Sequence, residues 1–190
     1  MFITVAGASG CGKTTIISAI LERFADKIAT LPSSTTRSMR EGEIEGKFYF
    51  YLTKEEFEEA IARGEFIEYE KVHANGNYYG VSRLRYEQYI KNFPILIKDI
   101  DVKGVRSLKR AGIDVVSIYV DVPSAELRER LIKRGEKPEE IEIRLSRKEF
   151  EDSFKGEYDY VIENIVLEDA IEKTAKIICN EAKKRNIILN

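Results

Sequence analysis

The feature that most constrains this chain is a glycine-rich segment near its N-terminus. Residues 7–14 read GASGCGKT, and they follow an apolar run from Phe2 to Ala6 that is rich in β-favouring residues. Apolar residues then recur at helical spacing, at positions 16, 17, 20, 21 and 24. The order strand, glycine-rich loop and helix predicts a tight turn in which backbone N–H groups surround an anion.

The loop matches the pattern G-x-x-x-x-G-K-[ST] of a phosphate-binding loop for nucleoside triphosphates. In such a loop Lys13 reaches the β- and γ-phosphates, and the Thr14 hydroxyl can ligand Mg²⁺. The alternative, a glycine turn beside a surface lysine, is disfavoured by the flanking strand and helix. The predicted triphosphate-binding residues are Gly7, Ala8, Ser9, Gly10, Cys11, Gly12, Lys13, Thr14 and Thr15.

The rest of the chain alternates between apolar runs and amphipathic segments. Apolar runs at 94–97 and 115–120 lead to Asp99 and Asp121, as expected for buried parallel strands. A further strand is predicted at 158–162, and helices at 102–110, 123–134, 138–154 and 167–184. This alternation predicts an α/β fold of the P-loop NTPase type, three α/β/α layers with a central parallel sheet.

Strand-rich material from 33 to 92 interrupts this rhythm. Strands are predicted at 47–52 and 65–72, around a helix that opens with the capping box Thr53–Glu56. A turn is predicted at 76–80, and a helix from Ser82 to about Asn92. We interpret the chain as one domain with its core at about 1–32, 93–128 and 155–190, an inserted subdomain at about 33–92 and a helical lid at about 129–154.

Composition and charge exclude several functional classes. The net charge of −2 argues against nucleic-acid and membrane partners, and no apolar run approaches the roughly 20 residues that span a bilayer. The start of the chain lacks a signal-peptide pattern, and the two cysteines, Cys11 and Cys179, lack metal-ligand spacing, so a cytoplasmic location is expected. Cys179 is predicted to be buried on the apolar face of the last helix. The oligomeric state is left open.

The acceptor side of a phosphoryl transfer is suggested by Arg37 and Arg40, which stand three residues apart among hydroxyl residues. Guanidinium groups bind phosphate through two parallel hydrogen bonds, although an exposed arginine pair alone is more often a solvated surface. The motifs S-S-T-T-R-x-x-R-x-G-E, G-x-x-Y, E-F-I-E, G-N-Y-Y-G, D-I-D-x-x-G and R-L-x-x-R-G then follow in order. From about Ile3 to Ile178, this series closely resembles the guanylate kinase family.

The resemblance implies Mg²⁺-dependent transfer of the γ-phosphoryl group of ATP to GMP, and also to dGMP. By position it implies that the GMP phosphate is held by Arg37, Arg40, Tyr49 and Tyr79, and that guanine is read by Ser33, Glu68 and Asp101. It further implies that Asp99 lies near magnesium with Thr14, that Asn164 lies near the adenine of ATP, and that the lid arginines are Arg130, Arg134 and Arg144. Lys13, Arg37, Arg40 and these lid arginines form the implied catalytic set.

Hydrogen-bonding chemistry agrees with the assignment of Glu68. Guanine presents two adjacent donors, N1–H and the N2 amino group, and one carboxylate can accept both. Adenine presents an acceptor at N1, so a carboxylate there would be repelled and left unpaired, and adenine would be strongly rejected.

The chain departs from the family at three places. Val81 stands where the family usually has a hydroxyl residue that contacts guanine, although Ser82 could substitute if the backbone shifts. About two extra residues lie within Lys71–Asn75, where His73 is expected to be a surface residue. Ile165 follows Asn164, where aspartate is common in the family.

Two other functions stay open. A kinase for a sugar phosphate would share the loop but would not need Glu68 and Asp101. A non-catalytic binding module would not need Lys13 and Asp99. The basic residues at 128–148 also have a plainer interpretation as ion-paired helix faces, and we expect Arg128 and Lys148 to be of that kind.

Overall fold

The computed structural model describes residues 1–47, 49–72 and 76–189. The strands are β1 Phe2–Ala6, β2 Ile28–Thr30, β3 Ser33–Thr35, β4 Tyr49–Tyr51, β5 Phe66–Lys71, β6 Tyr78–Ser82, β7 Ile95–Asp99, β8 Val115–Asp121 and β9 Tyr160–Glu163. The helices are α1 Lys13–Arg23, α2 Lys54–Ala62, α3 Arg83–Asn92, α4 Val102–Arg110, α5 Ser124–Lys133, α6 Pro138–Asp152 and α7 Leu167–Lys184. A 3₁₀ helix spans Lys155–Glu157.

A parallel five-stranded sheet in the order β2-β7-β1-β8-β9 forms the centre of the fold. Alternate residues of β7 enter two different cores: Ile95 and Ile97 face one, and Leu96 faces the other. The first core contains apolar residues of α1, α5, α6 and α7, and the second contains residues of α4, β5 and β6. The predicted layered α/β fold around a parallel sheet is therefore confirmed.

The carboxyl ends of the parallel strands meet at one edge of this sheet. β1 runs into the glycine-rich loop there, β7 ends at Asp99, and β9 is followed by Asn164. In open α/β sheets this edge is where ligands bind, so the topology brings the sequence motifs together.

A second sheet, in the order β4-β3-β6-β5, occupies the interrupting segment. β3 pairs with β4 in parallel and with β6 antiparallel, and β5 pairs with β6 antiparallel. The predicted capping box opens α2: the Glu56 backbone N–H donates to the Thr53 hydroxyl, and the Thr53 N–H donates to the Glu56 carboxylate. Buried Phe57 then stacks on Phe66 and Tyr78, which gives this segment an aromatic core of its own.

Several local predictions were wrong. Residues 78–80 belong to strand β6 rather than to a turn, and the short strands β2 and β3 were missed. Cys179 is exposed, because the buried face of α7 runs through Ala170, Ala175, Ile178 and Ala182, and the next residue after Ile178 points about 100° away. His73 and most of the insertion that contains it lie outside the described residues.

Within the described ranges, no helix combines the length and the apolar character that crossing a membrane requires. The longest helix, α7, alternates buried and charged positions along its length.

Because Gly7 has no side chain, the loop can pack closely against the end of the sheet, and a substitution at Gly7 tests this packing. The φ of Gly7 is +138°, and a Cβ at this position would lie 2.3 Å from the Val120 carbonyl oxygen, which is backbone. We expect Gly7→Ala to lower the free energy of unfolding by about 3 kcal/mol or more, as strained and overpacked sites do. The measurement is urea unfolding followed by circular dichroism.

Gly64→Ala is the matched control. Gly64 also has a positive φ, +69°, but nothing lies within 4 Å of its Cβ position. Only the backbone strain of about 1 kcal/mol is expected there. Equal losses in the two variants would show that contact with Val120 does not constrain the loop.

Candidate active site

The glycine-rich loop leads directly into α1, whose N-terminus is open. Gly12 forms the N-cap in the left-handed region (φ 99°), and within the described chain no side chain caps the helix and no acidic residue lies in its first turn. The free N–H groups and the positive end of the helix dipole therefore favour an anion at this point.

Lys13 lies across this loop. Its ammonium donates to the carbonyl oxygens of Gly7 at 2.6 Å and Ala8 at 3.3 Å, and it lies 3.8 Å from the Asp99 carboxylate at the end of β7. The loop lysine and the strand-end aspartate, predicted from separate motifs, are thus neighbours in the structure.

Asn164 supports the loop from behind. It is fully buried, its side-chain amide donates to the Cys11 carbonyl at 2.7 Å, and a Cβ on Gly12 would lie 2.4 Å from the same amide nitrogen. The other side-chain atom, Oδ1, is buried and has no protein partner among the described residues. Asn164 also lines a smaller cavity of about 330 Å³ with Arg130, Arg134 and Ile165.

The main cavity, of about 720 Å³, lies in front of the loop. Its size is within the range typical of small-molecule sites. It brings together the loop, Asp99, Asp101 and Arg134, which the sequence motifs had marked independently. Cys11 forms no part of its lining; its thiol is buried, and burial raises its pKa, so the structure offers no sign of a nucleophilic role.

The lid arginines occupy different positions. Arg134 is exposed and lines both cavities. Arg130 pairs with Glu126 at 2.9 Å and donates to the Asn164 carbonyl at 2.7 Å, on the side of the smaller cavity. Arg144 donates to Glu136 and to the Ser9 hydroxyl, and so connects α6 to the loop.

The plainer interpretation holds for two basic residues. Arg128 pairs with Glu142, and nearly buried Lys148 pairs with Asp121 and Asp152, as expected for ion-paired helix faces. Sequence reasoning did not single out Arg147, which lines the main cavity with Phe150 and Glu151 from the same helix. Its spacing of three from Arg144 was the available signal, because such residues share a helix face.

A separate cluster forms around Arg37. Its guanidinium donates two hydrogen bonds, of 2.9 and 2.8 Å, to the Glu43 carboxylate and lies over the Tyr49 ring at 5.1 Å. These hydrogen bonds lower the pKa of Glu43 to about 2, and Glu43 also accepts from the Arg40 backbone N–H. Tyr79 packs edge-on against Tyr49, with ring centroids 5.9 Å apart.

All four predicted phosphate-gripping residues therefore lie in or beside one cluster, in which the Arg40 side chain is exposed. Glu43 was missed as a site residue, although it stands within the quoted motif. Among the described residues that line the main cavity, none comes from 33–92, so Arg37, Arg40, Tyr49 and Tyr79 lie outside it.

The predicted guanine-reading carboxylates meet where α4 packs against β5. Asp101 caps α4 by accepting the Gly104 N–H at 2.9 Å. A Cβ on Gly104 would lie 3.5 Å from Asp101 Oδ1 and 3.6 Å from Glu68 Oε2, so both carboxylates border this glycine. Burial raises the pKa of Glu68 to about 7, the charge of Lys98 opposes that rise, and the charge of Asp101 adds to it.

The remaining residues of this region lie in the second sheet. Ser33, at the start of β3, is nearly buried, and Val81 is a fully buried member of the second core. The Ser82 hydroxyl accepts from the Arg85 N–H as the N-cap of α3, as predicted, and is therefore engaged.

The chain is similar to several proteins of known activity. The family model described as guanylate kinase matches residues 2–181. A guanylate kinase of Thermotoga maritima is 42% identical over 182 residues, which cover 95% of this chain and 86% of that protein. One of Clostridium perfringens is 38% identical over 183 residues, covering 95% and 83%. The crystal structure of guanylate kinase from Anaplasma phagocytophilum matches with a TM-score of 0.69 at 31% identity, covering 95% of this chain and 85% of that one.

The support that Asn164 gives to the loop can be tested by Asn164→Ala. The change leaves the Cys11 carbonyl unpaired, so we expect a loss of about 1–3 kcal/mol in unfolding free energy. Because the loop is then less rigid, ATP should bind about tenfold more weakly, a difference of about 1.4 kcal/mol. Urea unfolding and titration calorimetry measure the two effects.

Asn92→Ala is the control, because the Asn92 amide donates to the Gln88 carbonyl at the exposed end of α3, away from the loop. It should change unfolding by less than about 0.5 kcal/mol, as surface substitutions do. Unaltered ATP affinity in Asn164→Ala would contradict the supporting role.

Proposed function

This chain belongs to the guanylate kinase family, and from that premise we propose a role for each residue of its active site. The enzyme is a nucleoside-monophosphate kinase that transfers the γ-phosphoryl group of ATP to GMP. The proposals below concern how its own side chains carry out that reaction.

The donor half is the loop in front of the main cavity. The backbone amides of residues 7–15 and the Lys13 ammonium hold the β- and γ-phosphates of ATP. The amides supply neutral N–H donors and Lys13 supplies a positive charge, both at the open end of α1. Asn164 and Arg130, at the smaller cavity, place the adenine end.

The donor set at this edge fits a magnesium ion. Thr14 and Asp99 both line the main cavity and offer hydroxyl and carboxylate oxygens, which Mg²⁺ prefers. These are one or two protein ligands, as is usual for an ion that is also bound by phosphates and water. Bound magnesium would neutralise phosphate charge, and Thr14 and Asp99 would hold it.

The acceptor half is the cluster around Arg37. Arg37, Arg40, Tyr49 and Tyr79 hold the GMP phosphate, and Glu43 keeps the Arg37 guanidinium in one orientation through its two hydrogen bonds. One oxygen of that phosphate attacks the γ-phosphorus of ATP, and the bond to the β–γ bridging oxygen breaks, so that GDP and ADP result. No general base is needed, because the attacking phosphate is already an anion.

Closure is needed to bring the halves together, since the Arg37 cluster does not line the main cavity. We assign closure to the segments at about 33–92 and 129–154, which act as a GMP-binding subdomain and a lid. Arg134 and Arg144 then stabilise charge on the transferred group and exclude water.

One observation carries the choice of acceptor. Asp101 lines the main cavity and also borders Gly104 together with Glu68, so a pair of carboxylates, one exposed and one half-buried, adjoins the phosphate site. Such a pair suits the N1–H and N2 donors of guanine, and a sugar phosphate would leave it unpaired. The neighbouring Lys13 and Asp99 likewise favour a catalyst over a binding module.

The two cysteines of the chain, Cys11 and Cys179, are not paired in a disulfide, which suits a reducing cytoplasm.

A coupled ADP-release assay with ATP and Mg²⁺ tests this assignment. We expect turnover with GMP and dGMP, and none with AMP, CMP, UMP or ribose phosphate. Arg37→Ala should lower kcat/KM for GMP by about two to four powers of ten, as the loss of a charged transition-state contact does. Turnover with a sugar phosphate instead would leave the loop assignment intact and overturn the acceptor assignment.

Arg63→Ala is the matched control for Arg37→Ala. Arg63 is also paired with glutamates, Glu59 and Glu65, but it lies at the exposed end of α2. It should leave kcat/KM unchanged, and an equal loss in both variants would point to general destabilisation.

The pKa of Glu68 predicts the pH dependence of GMP use. The carboxylate is ionised above about pH 7, and only the ionised form accepts both guanine donors. Between pH 7.5 and pH 6 we expect kcat/KM for GMP to fall by roughly tenfold, the ratio of the ionised fractions.

Glu68→Gln separates this effect from titration of the GMP phosphate itself, which takes up a proton near pH 6. The variant should be less active, and its profile should keep only the phosphate contribution. A slope as steep as that of the wild type would show that Glu68 is not the titrating group.

A further inference from the structure

Lys98 lies in β7 at a position whose neighbours are apolar residues of the second core. Its neighbours two positions away are Leu96 in β7 and Ile100 directly after β7, and both are members of the second core. Placing an ammonium group at such a position costs free energy unless it finds partners. We therefore expect the ammonium of Lys98 to have polar or charged partners that offset this cost.

The contacts of Lys98 leave part of its hydrogen-bonding capacity unused. The ammonium donates to the Leu31 carbonyl at 2.6 Å, and among the described residues no carboxylate lies within ion-pair distance of it. An ammonium carries three donors, so two are available for other partners.

The charge of Lys98 acts on the carboxylate of Glu68, and both residues adjoin the second core. Lys98 is bonded to Leu31, and Glu68 is paired in register with Val81, and both Leu31 and Val81 belong to the second core. The positive charge that favours ionised Glu68 comes from Lys98. Lys98 and Glu68 therefore both adjoin residues of the second core, and they do not form a contact ion pair.

The O6 atom of guanine needs a hydrogen-bond donor that Glu68 does not supply. The pairing edge of guanine carries the O6 acceptor next to N1–H and the N2 amino group, and Glu68 accounts only for the two donors. The Val81 side chain has no hydroxyl and is packed in the core, and the Ser82 hydroxyl caps α3. Lysine is a common donor to guanine O6 in protein–nucleic acid recognition.

We propose that the Lys98 ammonium donates to O6 of the acceptor base, in addition to the base contacts that the family resemblance implies for Ser33, Glu68 and Asp101. This inference rests on the proposed function, in which Glu68 receives the base. It adds a second ground for rejecting adenine, whose 6-amino group would present a donor to the ammonium.

The test combines a change in the protein with a change in one ligand atom. Steady-state kinetics are measured for wild type and Lys98→Met with GMP and with 6-thio-GMP, which keeps N1–H and the N2 amino group but carries the weaker acceptor sulfur at position 6. In the wild type we expect kcat/KM to be roughly 10- to 100-fold lower for 6-thio-GMP, the size expected for a hydrogen bond from a charged donor. In Lys98→Met the activity with GMP should fall by a similar factor, and the two acceptors should become nearly equal.

Each other outcome has a definite meaning. If Lys98→Met weakens both acceptors by the same factor, Lys98 acts only as a counter-charge to Glu68, and the proposed contact with O6 is overturned. If wild type does not discriminate between the acceptors, that contact is likewise overturned. If wild type fails to use GMP, the proposed function itself is wrong. If Glu68→Gln retains full GMP activity, Glu68 does not hold the base, and the inference about Lys98 is overturned while GMP use stands.

Two further variants keep the result interpretable. Lys109→Met is the matched control, because Lys109 lies on α4 and pairs with Asp159 outside the site; it should retain the wild-type ratio between the two acceptors. Lys98→Gln supplies a neutral donor of similar length, and it should keep part of the preference for GMP. Thermal melting confirms that each variant is folded before the kinetics are compared.

Discussion

The structure depends above all on the close packing of the phosphate loop against the carboxyl edge of the parallel sheet. Gly7 leaves no room for a side chain against the Val120 carbonyl, and Gly12 leaves none against the Asn164 amide. The Asn164 side chain then ties the Cys11 carbonyl to the end of β9. Because β7, β1, β8 and β9 lie side by side and run in parallel, these contacts place the open N-terminus of α1 at the same edge as Asp99.

The acceptor region is attached to that edge through α4. Asp101 ends the segment after β7, caps α4 and borders Gly104 with Glu68, so one short helix connects the phosphate site to the base site. Burial raises the pKa of Glu68, which means that its charge is maintained only with help from its surroundings. The charge of Lys98, which lies between two residues of the second core along the chain, provides that help, and the proposed contact with O6 extends the same electrostatic arrangement to the ligand.

Some charged residues of this chain are ion-paired and others line the main cavity, and residue type alone does not separate the two groups. Arg128 and Lys148 are bound to carboxylates, Lys148 to Asp152 at helical spacing and Arg128 to Glu142 of the next helix, whereas Arg134 and Arg147 face the main cavity. Arg37 combines an ion pair with a proposed function, because its ion pair with Glu43 orients a guanidinium that we assign to the substrate phosphate. An ion pair beside a site therefore does not argue against a functional role.

The sequence by itself determined the elements whose information is local. The phosphate loop is a contiguous motif, α4 and α7 have the predicted bounds, and β1, β7 and β8 lie where apolar runs indicate buried strands. Only the tertiary structure decided the three-residue strands β2 and β3, because so short a segment has no measurable periodicity. It also decided the exposure of Cys179, the cavity position of Arg147 and the surroundings of Lys98, because each of these depends on which distant segments pack against the residue.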